Sequence, residues 1–490
     1  MTLTSALNSA KTSLATAALQ TNVTSRNIAG AYDSSYSRKI VNVVTSLDGT
    51  GYVASVTRAT SAALQSKVWG ATSSAAASSA LSSGLNQISQ TIGTSTDGRS
   101  VSSQIASLNT ALLTAAASPN SQSTLQDVLR AAQDLASALN DATTSVQGIR
   151  KQADSDMAAS VAKINDLLAQ FKSVNDAIVR GSTSNTDITD QLDARDRILT
   201  SLSQEVGISV VTGPDNGMSI YTDSGVALFD KDPRQVTFQP TSAFSAGTTG
   251  GAVFIDGVDV TSQSSNMGIK SGNLFGLAQL RDDVTVQYQK QLDETARGLI
   301  NAFAESDQSS SGGPTQAGLF TWSGAPGMPP ASLTDGLAGS ISIAASVDPA
   351  RGGNLNLLRE GGISDPGNPD YVYNSTGAAG YSGRLQELVD NLSGNQTFDP
   401  AAGINTSSSV STFATSSAAW LESLRKNASD KADQQGTIRD SATQALTSAT
   451  GVNMDDELSR MLDIEHSYQA SAKLISAIDQ MFTVLFQAIG

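Results

Sequence analysis

Cysteine is absent from this chain of 490 residues, and histidine occurs once. Without a thiol there can be no disulfide, no thiolate nucleophile and no cysteine-based zinc site. Such a chain can also move from cytosol to exterior without redox complications. The lone His466 lies between Glu465 and Ser467 with no second histidine to help it. A general base or metal ligand needs partners, so His466 reads as a solvated or interface residue on a helix. Positive charge is also short, with 30 Lys and Arg against 45 Asp and Glu, a formal net charge of −15. No basic run is interleaved with aromatics, which removes the electrostatic footprint of nucleic-acid binding, and an anionic membrane would repel the molecule. Long apolar runs are missing too. The most apolar terminal stretch, Met481 to Ile489, falls far short of the roughly 20 residues of a membrane span. The opening residues show no basic region, apolar core or cleavage site, so the expectation is export, if any, by a route without a cleaved signal. Gly312-Gly-Pro-Thr-Gln-Ala-Gly318 follows no strand and opens no helix, which argues against a phosphate loop. No catalytic set, cofactor or metal site is expected.

Small residues fill the space these absences leave. Ser, Ala, Thr and Gly dominate, while aromatics are 5% and charged residues 15% of the chain. Small, weakly charged side chains let helices approach closely and suit dense subunit packing. Both ends carry a stripe of alternating four- and three-residue spacing, the seam of a coiled coil. At the start it runs through Leu3, Leu7, Ala10, Leu14, Ala17, Thr21, Thr24 and Ile28. At the end it runs through Met461, Ile464, Tyr468, Ser471, Ile475, Ile478, Phe482, Leu485 and Ile489. Seams at opposite ends imply that the ends pack together or against copies of themselves. Leu3, Leu7, Leu14, Ile28, Met461, Ile464, Tyr468, Ile475, Ile478, Phe482, Leu485 and Ile489 are the expected assembly contacts.

Between the ends, Lys39–Val44 and Tyr52–Val56 flank Asp48-Gly49-Thr50-Gly51 and predict a hairpin. Helical periods follow over 61–92, then from Leu125 through Leu139 and from Met157 to Ile178 after Pro119-Asn120, too long for an ordinary globular helix. Near Gly207 the texture turns to strands. Ile208–Val211 and Met218–Tyr221 flank Pro214-Asp-Asn-Gly217, where Asn-Gly favours a hairpin. Val226–Phe229, Val236–Phe238 and Ala252–Ile255 extend this β-rich insert. A single helical stripe runs from Leu277 through Leu280, Val284, Tyr288 and Leu292 to Phe303. Residues 306–380 read as outer loops with one strand at Ile341–Ala345. Two last helices, 406–448 and 453–489, meet at Thr450-Gly451, with Asn453 as cap and Asp455, Asp456 and Glu457 on the first turn. Asp187, Asp190, Asp193 and Asp196 recur every third residue. With Arg195 and Arg197 interleaved, they read as a helix-surface ion network rather than a cation site.

The fold expected is therefore mainly α with an inserted β-rich domain, as an elongated helical bundle with a coiled coil formed by both chain ends. The terminal coiled coil is assigned to 1–35 with 455–490. The bundle takes 36–205, 271–305 and 381–454, with a hairpin near 38–58. The outward β-rich insert is 206–270, and a loop-rich outer segment is 306–380.

Leu14, Ala17, Leu19, Asn22, Asn27-Ile28-Ala29 and Tyr36-Ser37-Arg38 at one end resemble the flagellar axial proteins. So do Gly451-Val-Asn-Met-Asp-Asp-Glu457 and Tyr468-Gln-Ala-Ser-Ala-Lys473 at the other. Asp193-Ala-Arg-Asp-Arg197, Leu199 and Gly207-Ile-Ser-Val-Val211 are similar to the helix-to-strand transition of that family's hook–filament junction members. The likeness covers the ends and inner bundle but not 306–380. Gly30 stands where the family usually has Asn, and Asp33-Ser34-Ser35 replaces a Thr-Pro-Gly turn; all are turn formers. The resemblance implies a structural adaptor between hook and filament, exported through the flagellar channel and assembled at the distal hook end. Implied partners are neighbouring copies, the hook protein, a second junction protein and a cytosolic export chaperone, with neither nucleic acid nor membrane. The alternatives are another axial protein, though hook proteins carry Gly-Phe-Lys where Tyr-Ser-Arg stands here, or a secreted adhesin-like surface protein. The latter should show a signal or anchor, and none is visible.

Overall fold

The computed structural model of the chain describes residues 2–46, 50–93, 98–184, 186–309 and 312–489. Its centre is α4, a single helix from Gln122 to Thr183. The Ser121 side chain starts it by accepting the Thr124 N–H, and at 62 residues it runs for about 93 Å. Leu125, Val128, Leu135, Leu139, Val146, Met157, Phe171 and Ile178 keep the helical period and are fully buried. Against this spine pack α3 (Val101–Ala117), α5 (Thr189–Glu205), α6 (Asn273–Gln279) and α7 (Thr285–Ala302).

Other helices flank this group. The long α2 (Ala62–Ile92) pairs with α11 (Val410–Thr450), and Val68, Ala71 and Ala442 form a small apolar cluster of their own between them. α6 crosses α2 so closely that a Cβ on Gly276 would lie 2.3 Å from the Ala77 carbonyl oxygen. Short helices α8 (Leu337–Ser340) and α9 (Leu357–Glu360) precede α10 (Gly383–Ser393), which packs on α3.

The β-rich insert carries two antiparallel sheets. β3 (Ile208–Thr212), β4 (Met218–Thr222), β5 (Ala227–Asp230) and β6 (Asp232–Pro233) form the first in sequential order. β7 (Val236–Phe238), β8 (Val253–Ile255) and β9 (Val258–Asp259) form the second. The insert does not hang free of the spine. Phe229 meets Phe171 of α4 edge-on at 4.9 Å, and Asn165 of α4 bonds both backbone groups of Val236. Within 306–380, β10 (Phe320–Thr321) pairs with β11 (Ser342–Ile343). Phe320 sits against Phe303 at 5.0 Å, so this segment too is packed into the core.

Two details depart from the sequence reading. The stripe from Leu277 to Phe303 is interrupted by a π-helical turn over Leu280–Val284, where the Thr285 hydroxyl donates to the Leu280 and Arg281 carbonyls. Such a turn adds one residue to the period, and the run of four-residue steps through Leu280, Val284, Tyr288 and Leu292 is its trace in the sequence. Helices α3 and α10 were not anticipated, although Ile105, Leu108, Leu112 and Ala115 do carry the period of α3. Among the described residues no helix is long and apolar enough to cross a membrane.

Candidate assembly surface at the paired chain ends

The ends are helices α1 (Leu3–Gly30) and α12 (Met454–Ile489), and they pack on each other. Asn27 faces Glu457 near the bundle and Ser13 faces Ser471 farther out, so the pair is antiparallel. Ala10, Ala17 and Thr24 on one helix, and Ile464, Ser471 and Ile478 on the other, are the buried seam positions. On each helix these recur every seventh residue. A seven-residue repeat bends such a pair into a left-handed supercoil, and the small residues of α1 allow a close approach.

Only one of the two positions per heptad is fully covered. Leu3, Leu7, Leu14, Thr21 and Ile28 are half-buried, as are Met461, Ile475 and Phe482. Tyr468 and Leu485, expected in the seam, are 44% and 43% exposed in the single chain. The Ile489 side chain lies outside the described residues. Sequence periodicity had not pointed to Leu458, Leu462, Leu474, Met481, Val484 and Phe486, which face solvent on the same helix. Phe486 stacks on Phe482.

The hairpin β1 (Lys39–Thr45) and β2 (Gly51–Arg58) lies along α1; its turn residues Asp48 and Gly49 are outside the described residues. Thr16 of α1 donates to the Gly51 carbonyl at 3.1 Å, and the hydroxyls of Ser9 and Thr50 meet at 3.0 Å. Where α1 ends, Asp33 makes the turn by accepting the Ser35 hydroxyl and the Ser35 N–H, and these hold its carboxyl below the usual range. The chain then folds back so that the Tyr36 ring covers Gly30, where a Cβ would lie 2.6 Å from the ring.

Asn27 organises the knot. Its amide donates to the Lys39 carbonyl at 2.9 Å and to Glu457 at 3.1 Å. Its oxygen accepts the Tyr36 hydroxyl at 3.0 Å and the Lys39 N–H at 2.9 Å. All four hydrogen-bonding sites of the buried amide are thus used. Burial pushes the Tyr36 phenol well above its ordinary range, so it remains a donor. Arg38 closes the knot through Glu457 at 2.7 Å, and its backbone N–H donates to Thr450 at the end of α11. Asn453 caps α12 by accepting the Asp455 N–H.

Asp187, just before α5, and Asp190, Asp193 and Asp196 within it do not form a network along the helix. Arg26 bridges Asp187 (3.1 Å) and Asp190 (2.6 Å). Lys39 bridges Asp190 (3.1 Å) and Asp193 (2.5 Å), and Arg58 bridges Asp193 (2.8 Å) and Asp196 (2.7 Å). Arg195 turns away to the Asn216 carbonyl, and burial lowers its guanidinium to about 10. Arg197 reaches Ser35. Partners more than a hundred residues away leave no local signal. Burial pushes the Asp187 and Asp190 carboxyls up. Thr189 and Arg26 at the first, and Arg26 and Lys39 at the second, outweigh it and leave both below the ordinary value. At Asp196 burial prevails and the value is raised. His466 is exposed on α12.

Against this geometry the likeness to known proteins can be placed. Residues 85–318 match the family model described as the flagellar hook-associated protein FlgK helical domain. Residues 443–488, at the end of α11 and over α12, match the flagellar basal body rod FlgEFG protein C-terminal model. The chain is 22% identical to flagellar hook-associated protein 1 of Bacillus subtilis over 397 residues, 76% of this chain and 73% of that protein. It is 27% identical to the proteins of that name from Escherichia coli and Salmonella typhimurium, over 61% of this chain in both cases. The matched region is 55% of the first and 54% of the second, so the chain spans about half the length of these enteric relatives. A solved structure, the flagellar hook junction protein FlgK from Burkholderia pseudomallei, is 23% identical, covers 52% of this chain and 46% of that one, and has a TM-score of 0.42. With both seams and the Asn27–Glu457 knot in place, the matched family models and the curated relatives make the chain similar to flagellar hook-associated protein 1.

Proposed function

We propose that this chain is a structural adaptor joining the flagellar hook to the filament, acting without catalysis and through its two ends. The observation that carries the reading is the half-covered seam. An antiparallel pair that buries one position per heptad and leaves Tyr468, Leu485, Met481, Val484 and Phe486 to solvent has apolar surface for neighbouring terminal helices. Copies of the chain would supply those neighbours within one layer, with hook protein below and a second junction protein above. Export proceeds through the flagellar channel, accompanied by a cytosolic chaperone, and the absence of cysteine suits that passage. The terminal pair, the bundle, the β-rich insert and segment 306–380 are the working parts, with only the first required inside the junction.

A subunit whose upper and lower surfaces differ can complete one turn of a helical lattice and favour a different protein on top. A self-complementary surface would propagate without closing. Antibody label on isolated flagella should therefore form one narrow band at the hook–filament boundary. Label along the whole hook would move the chain to the hook proteins, and label along the filament to flagellin. Phe482→Asp puts a charge into the proposed seam, and cells carrying it should make hooks yet shed filament subunits. Normal swimming by such cells would refute the seam's role.

A further inference from the structure

The apolar core of the bundle runs from Trp69 to Ala428 and, among the described residues, contains no residue of α1, β1, β2 or α12. These elements form an arm with a seam of its own. Besides the chain connections to α2 and α11 and a hydrogen bond from Arg197 to Ser35, the arm meets the bundle through ion pairs. Asp190, Asp193 and Asp196 climb one face of α5 at about 4.5 Å per three-residue step, and Asp187 precedes them just before the helix begins. Each of three cations spans two successive aspartates, in chain order Arg26, Lys39, Arg58. The cations come from three places on the arm, namely the end of α1, the start of β1 and the end of β2. Contacts from three separated segments restrict orientation as well as position. The mounting is rigid, since Leu199 and Leu202 of α5 are fully buried in the bundle.

We infer that this aspartate ladder is a positioning latch that sets the angle between the arm and the bundle. Its middle rung is desolvated, with the Lys39 side chain fully buried and Asp193 nearly so. A buried ion pair adds little net stability against an apolar replacement, but removing one partner leaves a charge buried and unpaired. Such a contact selects one geometry strongly while contributing little to the folding of either side. Arg38 and Glu457 bring α12 into the same rigid unit. The inference concerns the single chain and stands whether or not the junction reading does.

With no native cysteine, the full-length protein can be spin-labelled at two introduced sites, Lys11→Cys on α1 and Arg130→Cys on α4, both exposed. Pulsed electron spin resonance on the otherwise unaltered chain should give one narrow distance. Asp193→Asn, which faces an amide N–H₂ toward a cation, and Lys39→Met should each replace it with a broad distribution at unchanged far-ultraviolet circular dichroism. A distance that stays single and narrow in both variants overturns the latch. Loss of helicity in step with the broadening would make the ladder a folding element and overturn it equally. Arg26→Met keeps the test open if the buried variants misfold, because this rung is part-exposed and its loss strands no buried charge. It must broaden the distance with helicity intact; a narrow distance in Arg26→Met refutes the inference.

Discussion

The bundle and the arm are both built from long helices, yet they bury them differently. α4 buries 23 of its residues, only Arg150, Asp154, Ser160 and Asn175 of them polar, in a stripe that neighbours cover from end to end. α12 buries Glu457, Ile464, Ser471 and Ile478, one side chain per heptad, and two of those four are polar. One helix is finished within its own chain. The other is a half-built coiled coil, held to its partner by a single line of contacts and to the rest of the molecule by ions. Burial of this kind cannot stabilise an isolated helix pair strongly, because apolar area removed from water is the main favourable term in folding.

The strongest way to sharpen this contrast is to damage each part separately. Phe171→Ala removes a fully buried ring that also supports Phe229, and should destabilise the bundle by about 3–5 kcal/mol. In urea it should lower the main transition and leave hydrogen exchange of α1 and α12 unchanged. Asn27→Ala should do the reverse. It strands both backbone groups of Lys39 and leaves Glu457 with Arg38 alone, a loss of about 2–4 kcal/mol confined to the arm. Exchange of α1 and α12 should accelerate at an unchanged main urea midpoint. If both variants shift one common transition, the arm and bundle are a single cooperative unit and the contrast fails.

Smaller effects on the monomer separate the two regions further. Leu485→Asp changes a side chain already exposed, so thermal unfolding of the monomer should move by less than about 0.5 kcal/mol. Junction formation, scored by filament attachment, should nevertheless be lost. A large change in monomer stability would mean that Leu485 is covered within the chain.

The least of the effects is a pH dependence of opposite sign in the two parts. In the bundle, burial raises Asp293 to about 6, against hydrogen bonds from Ala338, Gly336 and Gln289 and with Asp335 nearby. A raised carboxyl contributes stability that is present below its unfolded value of 3.8 and lost as pH rises through about 6. Where the arm is mounted on α5, Asp187 and Asp190 are depressed by Thr189, Arg26 and Lys39. Their contribution is present above 3.8 and lost as pH falls through the lower folded values. Hydrogen exchange between pH 4 and 6 should show the bundle weakening on the alkaline side while the arm is steady. Parallel weakening of both would contradict the assignment.

Much of the fold was legible because it is local. The seams of α1 and α12, the β1–β2 hairpin and the Asn216-Gly217 turn between β3 and β4 are each written within one contiguous stretch, where period and turn chemistry act. What escaped depends on distant partners. The Asp187–Asp196 ladder showed its spacing, but its cations Arg26, Lys39 and Arg58 are chosen by how the chain folds back, not by neighbours such as Arg195. Seam spacing likewise could not say which half is covered. Ala10 and Ile478 are shut away while Tyr468 and Leu485 are open, because a single antiparallel partner spans only part of a heptad stripe.

The length of α12 turns the knot at its base into a pivot. At 36 residues the helix reaches about 54 Å. A tilt of about 5° at the pivot displaces the far tip by about 5 Å, half the 8–10 Å spacing of packed helices. The apolar residues from Met481 to Phe486 lie at that tip. Angular play too small to matter beside the aspartates of α5 would thus decide whether those side chains meet a neighbour's hole or its ridge.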